Sequence, residues 1–170
     1  MLEGNPAFWP PCAAPRLARP RTPRAILGFV PPFEPVHTMT DYYDGPRRGI
    51  ADLGGRPHLY ESLFEEDRDG YGDVYELRPV DEETFRLALE DWERWLRWED
   101  AYHAGQTTMS THPALPADRA RHDEIAPVLA ARLAALSGPV LRASVEFRPA
   151  PGHADAGRGR HLEARWVLRP

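Results

Sequence analysis

Glu99 and His103 stand one helical turn apart beside Trp92 and Trp95, and their types and spacing are the most suggestive of proton chemistry in this sequence. A carboxylate drawn toward apolar surroundings is disfavoured in its charged form unless a cation or hydrogen-bond donors meet it, so a carboxylate beside a histidine can hold or move a proton. The same placement has a structural reading, in which the two side chains cap each other, or meet an arginine, where the helix leaves the core. His112 and His122 flank the start of a second helical segment. With Glu99 and His103 they supply nitrogen and oxygen donors for a metal, but without the spacing that marks one. An enzyme built here would be a small hydrolase or metal-dependent enzyme using Glu99 with His103 or His112 as general base or ligand.

Recognition is the chemistry offered by residues 41–49, DYYDGPRRG. Tyr42, Tyr43, Asp44, Arg47 and Arg48 could line a loop around an Asp44-Gly45-Pro46 turn, the arginines placed for a carboxylate or phosphate. His58 and Tyr60, on one face of a following strand, extend this candidate binding set. An ordinary turn with its tyrosines packed on a sheet would have the same composition.

Several chemistries lack their spacing. There is no P-loop, no G-x-G-x-x-G after a strand, no H-E-x-x-H and no G-x-S-x-G. Residues 65–76, EEDRDGYGDVYE, approach a calcium-binding loop but fail where its geometry is strict. Glu65 replaces the usual first aspartate, Gly72 the apolar eighth residue, and a hairpin rather than a helix precedes them. The sequence therefore predicts no cofactor and no metal centre.

The element that must position these residues is a helix over 81–105. With Trp92 at zero on a helical wheel, Phe85, Ala88, Leu89, Trp95, Leu96, Trp98 and Tyr102 share one half of its surface, while Arg86, Glu90, Glu93, Arg94, Arg97 and Asp100 oppose them. Asp91, Glu99 and His103 interrupt the apolar arc. Asp81 suits the N-cap and Gly105 a left-handed stop. A second helix is expected to open at Pro116, to kink or divide at Pro127 and to end at Gly138, with an apolar stripe of Ile125, Val128, Leu129, Leu133 and Leu136. Short strands are expected over 49–53 and 57–64, joined at Gly54-Gly55, and over 72–80. The clearest alternation lies in residues 141–148 and 161–169, joined by a glycine-rich connection.

At 170 residues the chain suits one domain. All 21 basic residues are arginine and none is lysine, so arginine abundance reflects coding bias and does not signal nucleic acid. The net charge of −5 points the same way, away from a general phosphate-backbone binder. A lone Cys12 precludes an intrachain disulfide and fits a reducing cytoplasm. No apolar run is long enough to span a bilayer, so neither nucleic acid nor membrane is an expected partner. Residues 1–38 hold nine prolines and no usable period, which predicts a disordered tail and places the translation start at or near Met39.

The stretches YYDGPRRGIADLGGRPHLYE (42–61), PVDEETFRLALEDWERWLRWEDAYHAG (79–105) and HPALPADRARHDE (112–124) together resemble an uncharacterised family of small bacterial proteins, over most of residues 40–148. The resemblance implies a bacterial, cytoplasmic, single-domain protein beginning near Met39, and carries no catalytic residues. Residues 39–170 are thus expected to form an α+β domain: an antiparallel sheet of about five strands, curled or forming a small partly open barrel, with two helices on one face. The leading functional expectation is a binding or interaction module, regulatory or immunity-like, that holds a protein or small acidic ligand through the tyrosine- and arginine-rich loop. The alternative is the small hydrolase.

Overall fold

Six antiparallel strands close into a barrel in the order of the chain. They are β1 Glu34–Tyr42, β2 Pro46–Asp52, β3 Pro57–Glu65, β4 Gly70–Pro79, β5 Leu141–Pro149 and β6 Leu162–Arg169. The computed structural model describes residues 30–42, 45–153 and 160–170, apart from the side chain of Arg68. Residues 1–29 of the expected tail, and the proposed binding residues Tyr43 and Asp44, lie outside the described residues.

The expected sheet of about five strands is corrected to six, and the barrel is closed. β1 is the strand the sequence did not show, because its ladder is irregular. Register shifts against β2 fall between Val36 and Thr38, between Met39 and Asp41, and between Asp41 and Tyr42. Each such bulge destroys the period-two pattern by which a strand is read. Residues 34–38 are therefore strand rather than disordered tail, and the unit that contains them runs from Pro31 to Pro170. Barrel closure lies in this first half of β1, where Glu34 pairs with Ala164 and Pro35 with Glu163 of β6. Just upstream, Phe33 sits between two guanidinium groups of the β5–β6 ribbon, Arg148 at 3.6 Å and Arg165 at 4.0 Å from its ring centre.

The β2–β3 turn matches its glycines. Gly54 and Gly55 have φ of 63° and 69°, the left-handed pair that a tight hairpin turn requires. Their amides donate to the two carboxylate oxygens of Glu34 at 3.0 and 2.6 Å, which ties the turn to the start of β1. Gly49 serves close approach instead. A Cβ at that position would stand 2.0 Å from the Thr38 carbonyl oxygen and 2.7 Å from the Tyr60 hydroxyl.

The barrel interior is filled by side chains. Tyr60, Tyr75, Phe147 and Trp166 contact one another in every pairing, with ring centres 5.9 to 6.2 Å apart. Ala51, Ala143 and Ala164 occupy the space left between the rings. The polar atoms of this cluster end on the wall of β1 and β2: Tyr60 donates to the Thr38 carbonyl at 3.2 Å, Tyr75 to that of Pro46 at 2.9 Å and the Trp166 indole to that of Asp52 at 2.9 Å. Burial, followed by the neighbouring Tyr75, pushes the Tyr60 phenol well above the ordinary tyrosine range.

Two helices leave β4 and return to the adjacent β5. α1, Glu82–His103, follows expectation at its start, where Asp81 accepts from the Thr84 amide at 3.0 Å. At its other end Gly105 takes a φ of 70°, the predicted left-handed stop. α2 is Arg119–Ala134. It begins after Pro116 and ends before Gly138, so both expected boundaries are corrected, and it runs undivided through Pro127. Both helices cover the outer wall of the barrel, where Phe85 and Ala88 of α1 and Leu129 and Leu133 of α2 pack with Ile50 and Leu59. Val128, expected in that stripe, is half exposed. Leu87 is buried instead, because α1 is covered on two sides and hides a wider arc than one apolar face. Among the described residues, no helix is long and apolar enough to cross a membrane.

Deletion of residues 1–38 should cost at least about 3 kcal/mol, because it removes the β1–β6 pairing, the Glu34 clasp and the Thr38 bonds. A chain starting at Pro31 should keep the full cooperative melt. Circular dichroism melts of the two truncations check this, and equal melting temperatures would contradict it.

Candidate functional site

Four rings fill much of the barrel, and the recess at its mouth beside Tyr75 and Phe147 is only about 240 Å³. A cleft of about 490 Å³ with a mainly apolar lining lies between the outer wall of β1 and β2 and the helical layer. Buried Met39, Ile50, Leu59 and Ala88 line its depth. Exposed Thr40, Asp41 and Tyr42, at the end of β1, line its edge. Trp92 and Trp95, three residues apart on α1, stack on each other with ring centres 4.6 Å apart and planes within 10°. Both indoles belong to the lining.

On the helical side, hydrogen-bonding side chains that interrupt this apolar surface include Asp91 of α1, His122 of α2 and His112 of the connection between the helices. Asp91 Oδ1 and His122 Nδ1 are 2.7 Å apart, with both side chains mostly buried. An ionised carboxylate can only accept, so Nδ1 carries the hydrogen, and whenever the ring is neutral the lone pair is on Nε2. Among the described residues no hydrogen bond engages Nε2, and it is not one of the sealed polar atoms without a partner. The ring of His112 meets Trp98 edge-on at 4.6 Å. The backbone on either side of it is gathered by Arg119, whose Nη2 donates to the carbonyls of Thr111 at 2.6 Å and of His112 and Ala114 at 3.1 Å.

The dyad is one rung of a polar seam between antiparallel helices. Glu83 and Thr84 bind Arg132 at one end, and Arg97 grips Asp118 through two bonds of 3.0 and 2.7 Å at the other. Between them, Glu90 accepts from Arg121 at 2.9 and 3.1 Å and from Arg94 at 2.9 Å. The hydrogen bond from Arg121, aided by that from Arg94, holds the Glu90 carboxyl at about 2. Arg97 likewise holds Asp118 below the usual carboxylate range. Register between the helices, and with it the Asp91–His122 contact, is set by these bidentate pairs.

Glu99 and His103 are not brought together. Glu99 is 7% exposed, and its Oε2 accepts from Arg160 Nη2 at 2.8 Å and Nε at 3.2 Å. Arg160 also donates to Asp100 at 3.1 Å, and these bonds, Asp100's first, push the guanidinium further toward its charged form. His103 is exposed, its ring edge-on to Tyr102 at 5.4 Å. Of the four residues offered for acid–base or metal work, His112 and His122 line the cleft, and Glu99 and His103 do not. Among the described residues, no group of three or more His, Cys, Asp and Glu side chains is arranged to hold a metal ion.

The binding set is dispersed as well. Arg47 and Arg48 belong to β2 rather than to a loop, and successive strand residues point to opposite faces. Arg47 turns to the barrel mouth, donating to Tyr75 at 3.3 Å and Ser62 at 3.4 Å, whereas Arg48 pairs with Glu61 on the outer wall at 3.5 Å. Tyr60 is a core residue, and His58 is buried with Nδ1 at 2.8 Å from the Arg56 carbonyl. Tyr42 alone among the described members of the set lines the cleft.

Sequence reasoning missed the Asp91–His122 pair. Asp91 was visible as a break in the apolar arc and His122 as a histidine near the second helix. Their separation of 31 residues gives no local signal until the register of the two helices is known. No protein-family model, no curated protein and no solved structure matches this chain.

The Glu90 carboxyl titrates at about 2 in the folded chain against an ordinary 4.5, so as pH falls the unfolded chain takes up the proton first. Its stabilisation is complete above pH 4.5 and is lost between there and about 2. Glu90→Gln should therefore lower stability by about 1 kcal/mol at pH 7, the range of a good exposed pair. Melts at stepped pH should show the difference from the parent protein shrinking below pH 4.5; a constant difference would contradict the assignment.

Proposed function

We propose that this protein is a binding module whose ligand is a small, flat, weakly polar molecule held in the cleft between α1, α2 and the outer barrel wall. The observation that carries this reading is the cleft itself: about 490 Å³, apolar in depth, walled by the stacked Trp92 and Trp95, with hydrogen-bonding groups at a few positions. Ligand sites have this composition, many apolar and aromatic contacts for affinity and few polar groups for orientation. A flat molecule fits because an indole face rewards parallel or edge-on contact with another ring.

An acidic ligand at Arg47 and Arg48 is the weaker reading, since the two guanidinium groups turn to opposite faces of β2 and each has a partner in the protein. Tyr42 remains in the proposed site, now as an edge residue of the cleft. A bacterial, cytoplasmic setting stays part of the proposal, and rests on the sequence resemblance and the lone cysteine.

Ligand-observed NMR with indole, naphthol and coumarin fragments tests the reading. At least one should bind with a dissociation constant below about 1 mM, the affinity of a fragment that gains roughly 4 kcal/mol. Leu129→Trp, which fills the cleft from α2, should weaken that binding at least tenfold while preserving the melt. No bound fragment, or binding that Leu129→Trp leaves untouched, would refute it.

A further inference from the structure

The cleft holds more than a ligand needs. A bound flat molecule would be oriented well enough by one donor or acceptor, yet the lining carries a histidine whose Nδ1 is fixed by a carboxylate at 2.7 Å. Fixing Nδ1–H in this way holds the imidazole in one tautomer and orientation and stabilises the imidazolium once Nε2 has gained a proton. Met39, Ile50 and the two indoles line the same cleft as this pair.

We infer that His122 is a general base presented to the cleft, with Asp91 as its positioning residue, and that the protein catalyses proton transfer on a flat carbonyl compound bearing an acidic C–H. This rests on the cleft being a ligand site. In the reaction, the C–H bond next to the carbonyl breaks and its proton goes to Nε2. The electron pair moves onto the carbonyl oxygen as an enolate, and the same proton returns from Nε2 to another carbon of the conjugated system. Atoms and charge balance as an isomerisation, with no oxidant, reductant or second substrate. His112 and Tyr42, also on the lining, are among the donors available to the enolate oxygen. The lining contains no serine, cysteine or lysine, so a reaction that needs only a base and hydrogen-bond donors suits it better than one through a covalent intermediate.

The probe is nitrobenzisoxazole, a flat ring that needs only a base. Removal of its C–H breaks the N–O bond and releases a coloured cyanonitrophenolate, the proton remaining on the base. Nitrobenzotriazole, of the same shape but unreactive, reports binding by itself. The full chain should turn the probe over with saturation, and nitrobenzotriazole should compete. His122→Gln should lower kcat at least about 100-fold. Asp91→Asn should lower kcat about tenfold or more, with KM within twofold. Both variants should keep the melt, and Asp91→Asn should keep the nitrobenzotriazole affinity within about threefold.

Binding of nitrobenzotriazole without turnover above that of imidazole in solution would overturn the base and leave the cleft standing, as would a kcat unchanged in His122→Gln. Absence of binding would overturn both. Should His122→Gln not fold, the parent protein decides, because turnover that persists under saturating nitrobenzotriazole places the base elsewhere.

Discussion

The packing of four aromatic rings inside a six-stranded barrel is the constraint on which the rest of this structure depends. Tyr60, Tyr75, Phe147 and Trp166 each touch the other three, and each ring contact contributes about 0.5–1.5 kcal/mol beyond the area it buries. The barrel can accept so much ring volume only because the facing positions are Ala51, Ala143 and Ala164. The alternation of large and small residues fills a narrow barrel without voids. It also commits the hydroxyl and indole hydrogens to carbonyls of β1 and β2, one of them, Thr38, beside a register shift of β1. The bulged strand and the ring cluster therefore satisfy each other.

A filled barrel moves ligand chemistry to the outside. The helical insertion between β4 and β5 supplies a second apolar layer over Ile50 and Leu59, and the cleft lies between that layer and the barrel wall. Stability and recognition thus sit in different places. The rings inside the barrel serve mainly packing, and the outer core under the helices is shared between packing and the cleft.

Arginine does the polar work throughout, and its geometry matters. Arg97, Arg121 and Arg148 each place two nitrogens on one carboxylate group. Such forks fix direction as well as distance, which a lysine could not do. Along the α1–α2 seam they set helix register, and a one-residue slip would part Asp91 from His122. Glu99 shows the other use of the same chemistry. Its buried carboxylate is met by Arg160, the structural alternative to a proton-transfer pair, since a charge in apolar surroundings takes the nearest strong donor.

Local physics was legible in the residues. The amphipathic arc, the Asp81 cap and the Gly105 stop define α1, the glycine pair defines the β2–β3 turn, and strict alternation defines β5 and β6. Each of these depends on neighbours a few positions away. β1 escaped because its bulges and its proline, histidine and threonines erase the alternation, and only pairing with β2 and β6 makes it a strand. α2 escaped at its boundaries, where packing on α1 and on Leu59 outweighs the local preference of Pro116 and Gly138. The site was beyond reach for the same reason: Asp91 and His122 acquire their meaning from helix register, and the cleft from the gap between two layers. Distances across a fold are decided by packing, which no stretch of the chain carries alone.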